Sequence, residues 1–210
     1  MSALSPALFP MFVKLEGRRC VVVGGGAIAT SKVESLLRAG ADVAIVSPVL
    51  NPRLDELQLE GRLVWIRRRF QPCDLDGAFL VIAATSDGNV NELVFRESDR
   101  RGILCNAVDQ PVRCHFYFPA IVRRGVLQIA ISTAGLSPSL AARLRAQFEE
   151  EFGPEYEAWL LWLGTVREAL MNRKIDFATR KRLLAYLARR ESFERWRATK
   201  KHRAPLTEGA

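Results

Sequence analysis

Gly24, Gly26 and Ala29 stand at G-x-G-x-x-A spacing directly after a β-branched run, Cys20-Val-Val-Val23, and Gly25 lies between the two glycines. Each small residue answers a separate mechanical need if a chain is to wrap around a pyrophosphate. Gly24 lets the backbone turn sharply out of a strand, Gly26 lets it approach phosphate oxygens, and Ala29 lets the following helix pack on a sheet. The start of that helix offers unpaired N–H groups and the positive end of its dipole to an anion. Glycine runs also occur in ordinary strand–helix turns, so the spacing becomes a dinucleotide-binding signal only through what flanks it. The other residue placed for chemistry is Asp109, in Asn106-Ala-Val-Asp109-Gln-Pro111, at the exit of another apolar run. A carboxylate there can act as a general base or a transient metal contact. It can equally satisfy the N–H groups of a turn.

The flanking elements make the case. After the glycines an amphipathic helix runs through Lys32 to Arg38, and Gly40 is placed to end it. A second strand, Asp42–Val46, stops at Ser47-Pro48, because proline cannot donate to a sheet. A short helix over Leu54–Leu59, a strand Leu63–Ile66, a buried strand Phe79–Ala84, a helix Val90–Arg101 and a strand Ile103–Val108 follow. Strands alternating with helices at this spacing predict parallel βαβ units, hence an α/β, Rossmann-like doubly wound sheet with ligands beyond the carboxyl ends of its strands. Met11–Leu15 is able to form a further strand ahead of Gly17. After residue 116 the rhythm changes. Phe116–Val122 and Val126–Ile131 predict two strands around a turn at Arg123–Gly125, too apolar to face solvent and suited to a copy of itself. Ser137-Pro138 opens a helix reaching about Phe152. From Gly153 the pattern is helical, with Trp159, Leu160, Leu163, Val166 and Leu170 on one stripe and Leu183, Leu184 and Leu187 on another. The basic tail past Glu191 is expected to fray. The expected domains are therefore a Rossmann domain over 1–115, a β-hairpin/helix dimerisation element over 116–152 and a helical C-terminal domain over 153–210.

The second strand bears on the choice of nucleotide. NAD-binding folds commonly carry Asp or Glu at its end to hold the ribose hydroxyls. Here Ser47 occupies that place, and Asp42 lies at the opposite end. No arginine follows immediately to hold a 2′-phosphate, so NAD is expected ahead of NADP. Ser47 is then within reach of the ribose, with Pro48 and Val49 flanking the adenosine.

Composition sets the outer limits. The chain has 210 residues, 49% hydrophobic and 26% charged, and a formal net charge of +8, an ordinary globular profile rather than a disordered one. Such a positive field suits nucleic acid, an anionic membrane surface or an acidic small molecule. Cys20, Cys73, Cys105 and Cys114 show no C-x-x-C spacing, and two of them fall in apolar strands, as expected of reduced thiols in a cytoplasmic protein. Pro6 and Pro10 interrupt the only apolar N-terminal stretch, so neither a signal peptide nor a membrane span is expected. Cys114-His115 does not make a metal pair, since neighbours on a strand point to opposite faces, and no zinc or iron–sulfur spacing occurs.

Taken together, Phe9-Pro-Met-Phe-Val-Lys-Leu-Glu-Gly-Arg18, Val21–Gly26, Lys32-Val33, Ala83-Ala-Thr85, Asn106-Ala-Val-Asp109, Phe118-Pro-Ala120 and Ile131-Ser-Thr-Ala-Gly-Leu-Ser-Pro138 resemble the precorrin-2 dehydrogenase/sirohydrochlorin ferrochelatase module of sirohaem synthesis. The resemblance covers about residues 9–150; beyond 153 it is one of general character. It implies an intertwined homodimer and NAD-dependent oxidation of precorrin-2 to sirohydrochlorin. In bifunctional members, insertion of ferrous iron as a substrate metal follows. It makes Asp109 the catalytic carboxylate and places Gly24, Gly25, Gly26, Ala27, Ile28, Ser47, Pro48, Val49 and Thr85 around the cofactor. Ser137 falls at the start of the substrate-side helix, where it would also serve as an N-cap. The polycarboxylate substrate suits a basic protein, and Arg113, Arg123, Arg124 and Arg143 are candidates for bidentate pairing with its arms, Arg113 and Arg143 foremost. The methyltransferase domain of larger sirohaem synthases is expected to be absent. Two other readings compete. A nucleotide-sensing regulatory module explains the glycines equally well, but predicts an acidic residue after the second strand and a β-rich domain downstream. A nucleic-acid-binding role for the arginine-rich helices after 176 lacks interleaved aromatic stacking positions and a reading motif.

Overall fold

The Cys20–Val23 run lies at the centre of a parallel sheet because both its faces are covered. A computed structural model describes residues 7–201, which divide into one unit ending at Phe118 and a second beginning at Pro119. In the first unit β1 (Arg19–Val23), α1 (Ala27–Arg38), β2 (Asp42–Val46), α2 (Pro52–Leu59), β3 (Val64–Ile66), β4 (Leu80–Ala83), α3 (Gly88–Arg100) and β5 (Leu104–Ala107) follow in order. The five strands are arranged β3-β2-β1-β4-β5, all parallel. The order reverses between β1 and β4, and the crevice beyond their carboxyl ends is where such sheets take ligands. Side chains alternate along each strand. Cys20 and Val22 pack with Ala29, Val33 and Leu36 of α1 and Leu54 and Leu57 of α2, while Val21 and Val23 pack with Val94 of α3. The Rossmann-like, doubly wound expectation is met.

Cys20 and Cys105 are fully buried on opposite faces of this sheet. Burial pushes the Cys20 thiol up to about 11, aided by the nearby Asp42 charge. Burial also pushes Cys105 up to about 12, against a small lowering from its hydrogen bond with Ser98.

The exit of β3 is stapled by Asp74, in a short 3-10 turn over Pro72–Leu75 that the sequence reading did not contain. Its carboxylate is buried and accepts from both terminal nitrogens of Arg68, at 2.8 and 2.5 Å, and from the Gln71 N–H at 2.8 Å. Burial alone would raise its pKa. The Arg68 and Gln71 hydrogen bonds and the charges of Arg68 and Arg19 together outweigh burial and hold it below the usual value. A depressed carboxyl stabilises the fold above its unfolded-state pKa, about 3.9, and that contribution is lost as pH falls through the lower folded-state value. Asp74→Asn is therefore expected to cost about 2 kcal/mol at neutral pH, the half-exposed Arg68 keeping the loss from being larger. Below about pH 4 the wild-type advantage should shrink. Urea unfolding at a series of pH values checks both points; a gap that stays constant down to the acid limit contradicts them.

The second unit contains a two-stranded antiparallel ribbon, β6 (Ala120–Arg124) and β7 (Leu127–Ile131), then α4 (Pro138–Glu151), α5 (Glu155–Met171), α6 (Phe177–Leu187) and α7 (Arg190–Lys201). Several elements differ from expectation. Met11–Leu15 is not a strand. The turn of the ribbon is Gly125-Val126, and Arg123 and Arg124 belong to β6, because Arg124 pairs in register with Leu127 and Gly125 alone takes a positive φ of 58°. The tail does not fray at Glu191. Phe193 is 6% exposed, with ring centroids 4.4 Å from Tyr156 and 5.0 Å from Trp159, and this aromatic packing holds α7 down. The part of the tail from residue 202 lies outside the described residues.

Candidate nucleotide and carboxylate site

The glycine turn is built by close packing on three sides. Gly24 adopts a φ of 120°, and a Cβ there would stand 2.8 Å from the Ala84 carbonyl carbon. The backbone holds it in place, with Gly24 N–H donating to Val46 O at 3.0 Å and Ala84 N–H to Val23 O at 2.8 Å. Gly25 is pressed against the β2–α2 loop, where a Cβ would overlap Val49 O and stand 2.9 Å from Ser47 Oγ. Gly25 O accepts from Asn51 N–H at 2.8 Å. Ala29 is fully buried, as the tight helix–sheet contact requires. Gly26 is different. It is exposed, has an ordinary extended backbone, and leaves open space where a Cβ would project.

Gly26 is also the N-cap of α1, and no side chain caps that helix; its first turn contains no acidic residue. The other two helices of this unit are capped by side chains, Asn51 accepting from Leu54 N–H at 2.9 Å and Asp87 from Asn89 N–H at 2.9 Å. The exposed first turn, Ala27 and Ile28, thus offers unpaired N–H groups at the positive end of the helix dipole. A dinucleotide's pyrophosphate fits these residues: an anion supplies the missing cap, and an open glycine gives it room.

Around this turn, Ser47 is buried and its hydroxyl donates to Val49 O at 2.7 Å, while its carbonyl accepts from Trp65 Nε1 at 2.9 Å. Pro48 and Val49 are exposed beside it. Thr85 lies after β4 and is tied down by the buried Asn91: its hydroxyl donates to Asn91 Oδ1 at 2.8 Å, and Asn91 Nδ2 donates to Thr85 O at 3.0 Å. Asn51 bridges the loop to α1 through Thr30 Oγ1 at 2.7 Å. Ser47, Thr85, Asn51 and Asn91 therefore fix the shape of the crevice. The Asn51-Pro52 pair is a helix-start signal in the sequence; nothing in the sequence marks Asn91.

Asp109 follows β5 at the same edge of the sheet, exposed, with a left-handed φ of 60°. Asp tolerates this region better than most residues. Lys32 of α1 lies with its ammonium 3.9 Å from the centroid of the Phe118 ring. Burial lowers its pKa, and the charge of Asp109 partly offsets that. In the sequence Lys32 stands out only as part of the Lys32-Val33 motif. Arg113 pairs with Glu92 and donates to Gln110 Oε1 at 2.6 Å, so its guanidinium is engaged within its own unit. His115 is structural in its contacts: Nδ1 accepts from the Cys105 N–H at 3.1 Å, which leaves the proton on Nε2, 3.1 Å from Asp99 Oδ1.

In the second unit, Ser137 caps α4, its Oγ accepting from Leu140 N–H at 3.2 Å. Arg143 is exposed on the same helix. Arg124 donates to Phe152 O at 2.6 Å and Glu149 O at 2.8 Å, closing off the end of α4.

Residues 11–120 match the family titled "Putative NAD(P)-binding", and the chain belongs to that family. A separate stretch, residues 124–151, matches the family titled "Sirohaem biosynthesis protein central". Over 164 residues the chain is 45% identical to a siroheme synthase of Methylobacillus flagellatus, covering 78% of this chain and 35% of that one. Over 172 residues it is 48% identical to a siroheme synthase of Photorhabdus laumondii, covering 82% of this chain and 37% of that one. It thus spans about a third of the length of these curated relatives. Among solved structures it is similar to SirC, a precorrin-2 dehydrogenase, with a TM-score of 0.79 and 27% identity over 89% of this chain and 92% of that one. The resemblance to the sirohaem-synthesis family read from the motifs is borne out.

Proposed function

We propose that this chain oxidises precorrin-2 to sirohydrochlorin with NAD. The likeness to SirC along nearly the whole of both chains supports this reading most directly. The uncapped α1 start and the placement of Asp109 beyond β5 agree with it. When bound, the nicotinamide supplies a hydride acceptor. The chain's own residues do the remaining work. Gly24, Gly25, Gly26, Ala27 and Ile28 form the pyrophosphate seat. Ser47, Pro48, Val49 and Thr85 shape and flank the adjoining nucleotide crevice. Asp109 accepts the proton released as the macrocycle gives up its two electrons as one hydride. Arg113, Ser137 and Arg143 are proposed substrate contacts, Arg113 exchanging its Glu92 partner for a substrate carboxylate.

The same carboxylate is suited to a second step. Entry of ferrous iron, here a substrate, displaces pyrrole N–H protons, and Asp109 can accept them without a permanent metal cage. Residues 116–152 are proposed to join two copies of the chain, since Val126 and Leu136 are 71% and 79% exposed in this segment, and the helices within residues 153–201 are proposed as a separate helical domain. The cytoplasm is the proposed compartment, consistent with all four cysteines being free thiols. Among the described residues no helix is long and apolar enough to cross a membrane.

The test is anaerobic incubation of the protein with precorrin-2 and NAD. Stoichiometric NADH and the sirohydrochlorin spectrum are expected, followed by a metal-dependent spectral change when Fe²⁺ or Co²⁺ is added. No NADH at all would refute the dehydrogenase reading, and a final spectrum indifferent to metal would refute the second step alone.

A further inference from the structure

We propose that the Cys114 thiol is a positioning residue: it clamps both ends of the turn that presents Asp109 and so sets where that carboxylate points. This rests on the dehydrogenase reading for its kinetic consequence, though not for its structural one. The single S–H of Cys114 is shared between Ala107 O, 3.2 Å from Sγ, and Gln110 O, 3.4 Å away, the residues that bracket Val108 and Asp109. It is held there in turn. Asn106 Nδ2 donates to Sγ at 3.4 Å and to Phe116 O at 2.8 Å, and Asn106 and Cys114 form an antiparallel bridge at the edge of β5. The turn has one backbone closure of its own, Gln110 N–H to Ala107 O at 3.2 Å, and is anchored to the sheet by Val108 N–H to Ala83 O at 2.9 Å.

A clamp has a purpose at this point. Asp109 is held at a φ of 60°, a sparsely populated conformation for a residue with a side chain, and it persists only if its surroundings over-determine it. Val108 packs against the core on one side, but Asp109 itself is exposed and has no such support. The thiol supplies a further restraint, contacting the carbonyl at each end of the turn. Burial pushes its pKa up, so it remains protonated and able to donate.

Two variants separate donor from volume. Cys114→Ser keeps a donor in a slightly smaller side chain, and Cys114→Val fills the space without one. For Cys114→Val the expected result is a kcat for NADH formation lower by about 10-fold, with NADH affinity and Tm near wild type, and faster amide hydrogen exchange at Val108 and Gln110. Cys114→Ser should recover most of the kcat and the slow exchange. Wild-type kcat and exchange in Cys114→Val would overturn the proposal, as would Cys114→Ser falling as far as Cys114→Val. If wild type itself does not oxidise precorrin-2, the dehydrogenase reading fails, and exchange at Val108 and Gln110 still decides the clamp.

Discussion

Asp109→Asn is expected to lower kcat for precorrin-2 oxidation by about 10³-fold while leaving NADH affinity and thermal stability close to wild type. Asparagine is the informative replacement because Asp109 sits at a φ of 60°, a conformation that asparagine adopts readily and alanine does not. The backbone of the turn and its closure from Gln110 N–H to Ala107 O then survive, and only the proton-accepting charge is lost. Lys32 gives a second, independent readout. Part of its proton affinity comes from the Asp109 charge, so the neutral asparagine should leave the Lys32 ammonium easier to deprotonate. Turnover unchanged in Asp109→Asn, measured anaerobically by NADH formation, would remove this carboxylate from the mechanism.

Gly26→Ala and Gly24→Ala, two substitutions of identical chemistry, are expected to fail in opposite ways. A Cβ at Gly26 meets no atom of the protein, and its extended backbone suits any residue. The variant should fold with a Tm near that of wild type. The added methyl nevertheless projects beside the uncapped N–H groups of α1, where the proposed pyrophosphate must lie, and NAD affinity should fall by about 100-fold, or ~2.7 kcal/mol. A Cβ at Gly24 runs into the Ala84 carbonyl, and the φ of 120° is one that L-residues avoid. Both elements of that collision are hydrogen-bonded backbone at the carboxyl ends of the two central strands, so Gly24→Ala should cost about 3 kcal/mol or more of stability. Calorimetric titration with NAD and thermal melts of the two variants distinguish the cases; a Gly26→Ala protein that binds NAD normally would remove the phosphate seat from this turn.

Residues under both-face burial were legible from their letters alone. The continuous runs Cys20–Val23 and Asp42–Val46 became β1 and β2 within a residue, because an apolar stretch of that length ending in glycine or proline has few other uses. The glycine spacing located the α1 start for the same local reason. Legibility faded where an element depends on which particular side chains meet. The short turn over Pro72–Leu75 depends on Arg68 reaching Asp74, and α7 depends on Phe193 finding Tyr156 and Trp159 on another helix; a basic composition hid that anchor. Arg123 and Arg124 resembled turn residues, yet Arg124 is a strand residue whose head group is absorbed by the carbonyls at the end of α4. At the candidate site, Asp109 was visible through its motif, whereas Cys114 was read only as half of an unsuitable metal pair. No one-dimensional pattern shows that a thiol five residues downstream turns back onto the carbonyls on either side of Val108 and Asp109.

The sheet also has a probe built into each of its two faces. Cys20 lies under α1 and α2, and Cys105 lies on the face covered by α3, and both thiols are held far from the reactive thiolate form. An alkylating reagent that quickly consumes exposed Cys73 must wait for a layer of helices to lift before it reaches either of them. The pace at which each is consumed would clock the breathing of its own side of the sheet, and a ligand settling onto the crevice would slow both clocks by an amount set by how tightly it holds the strands' ends.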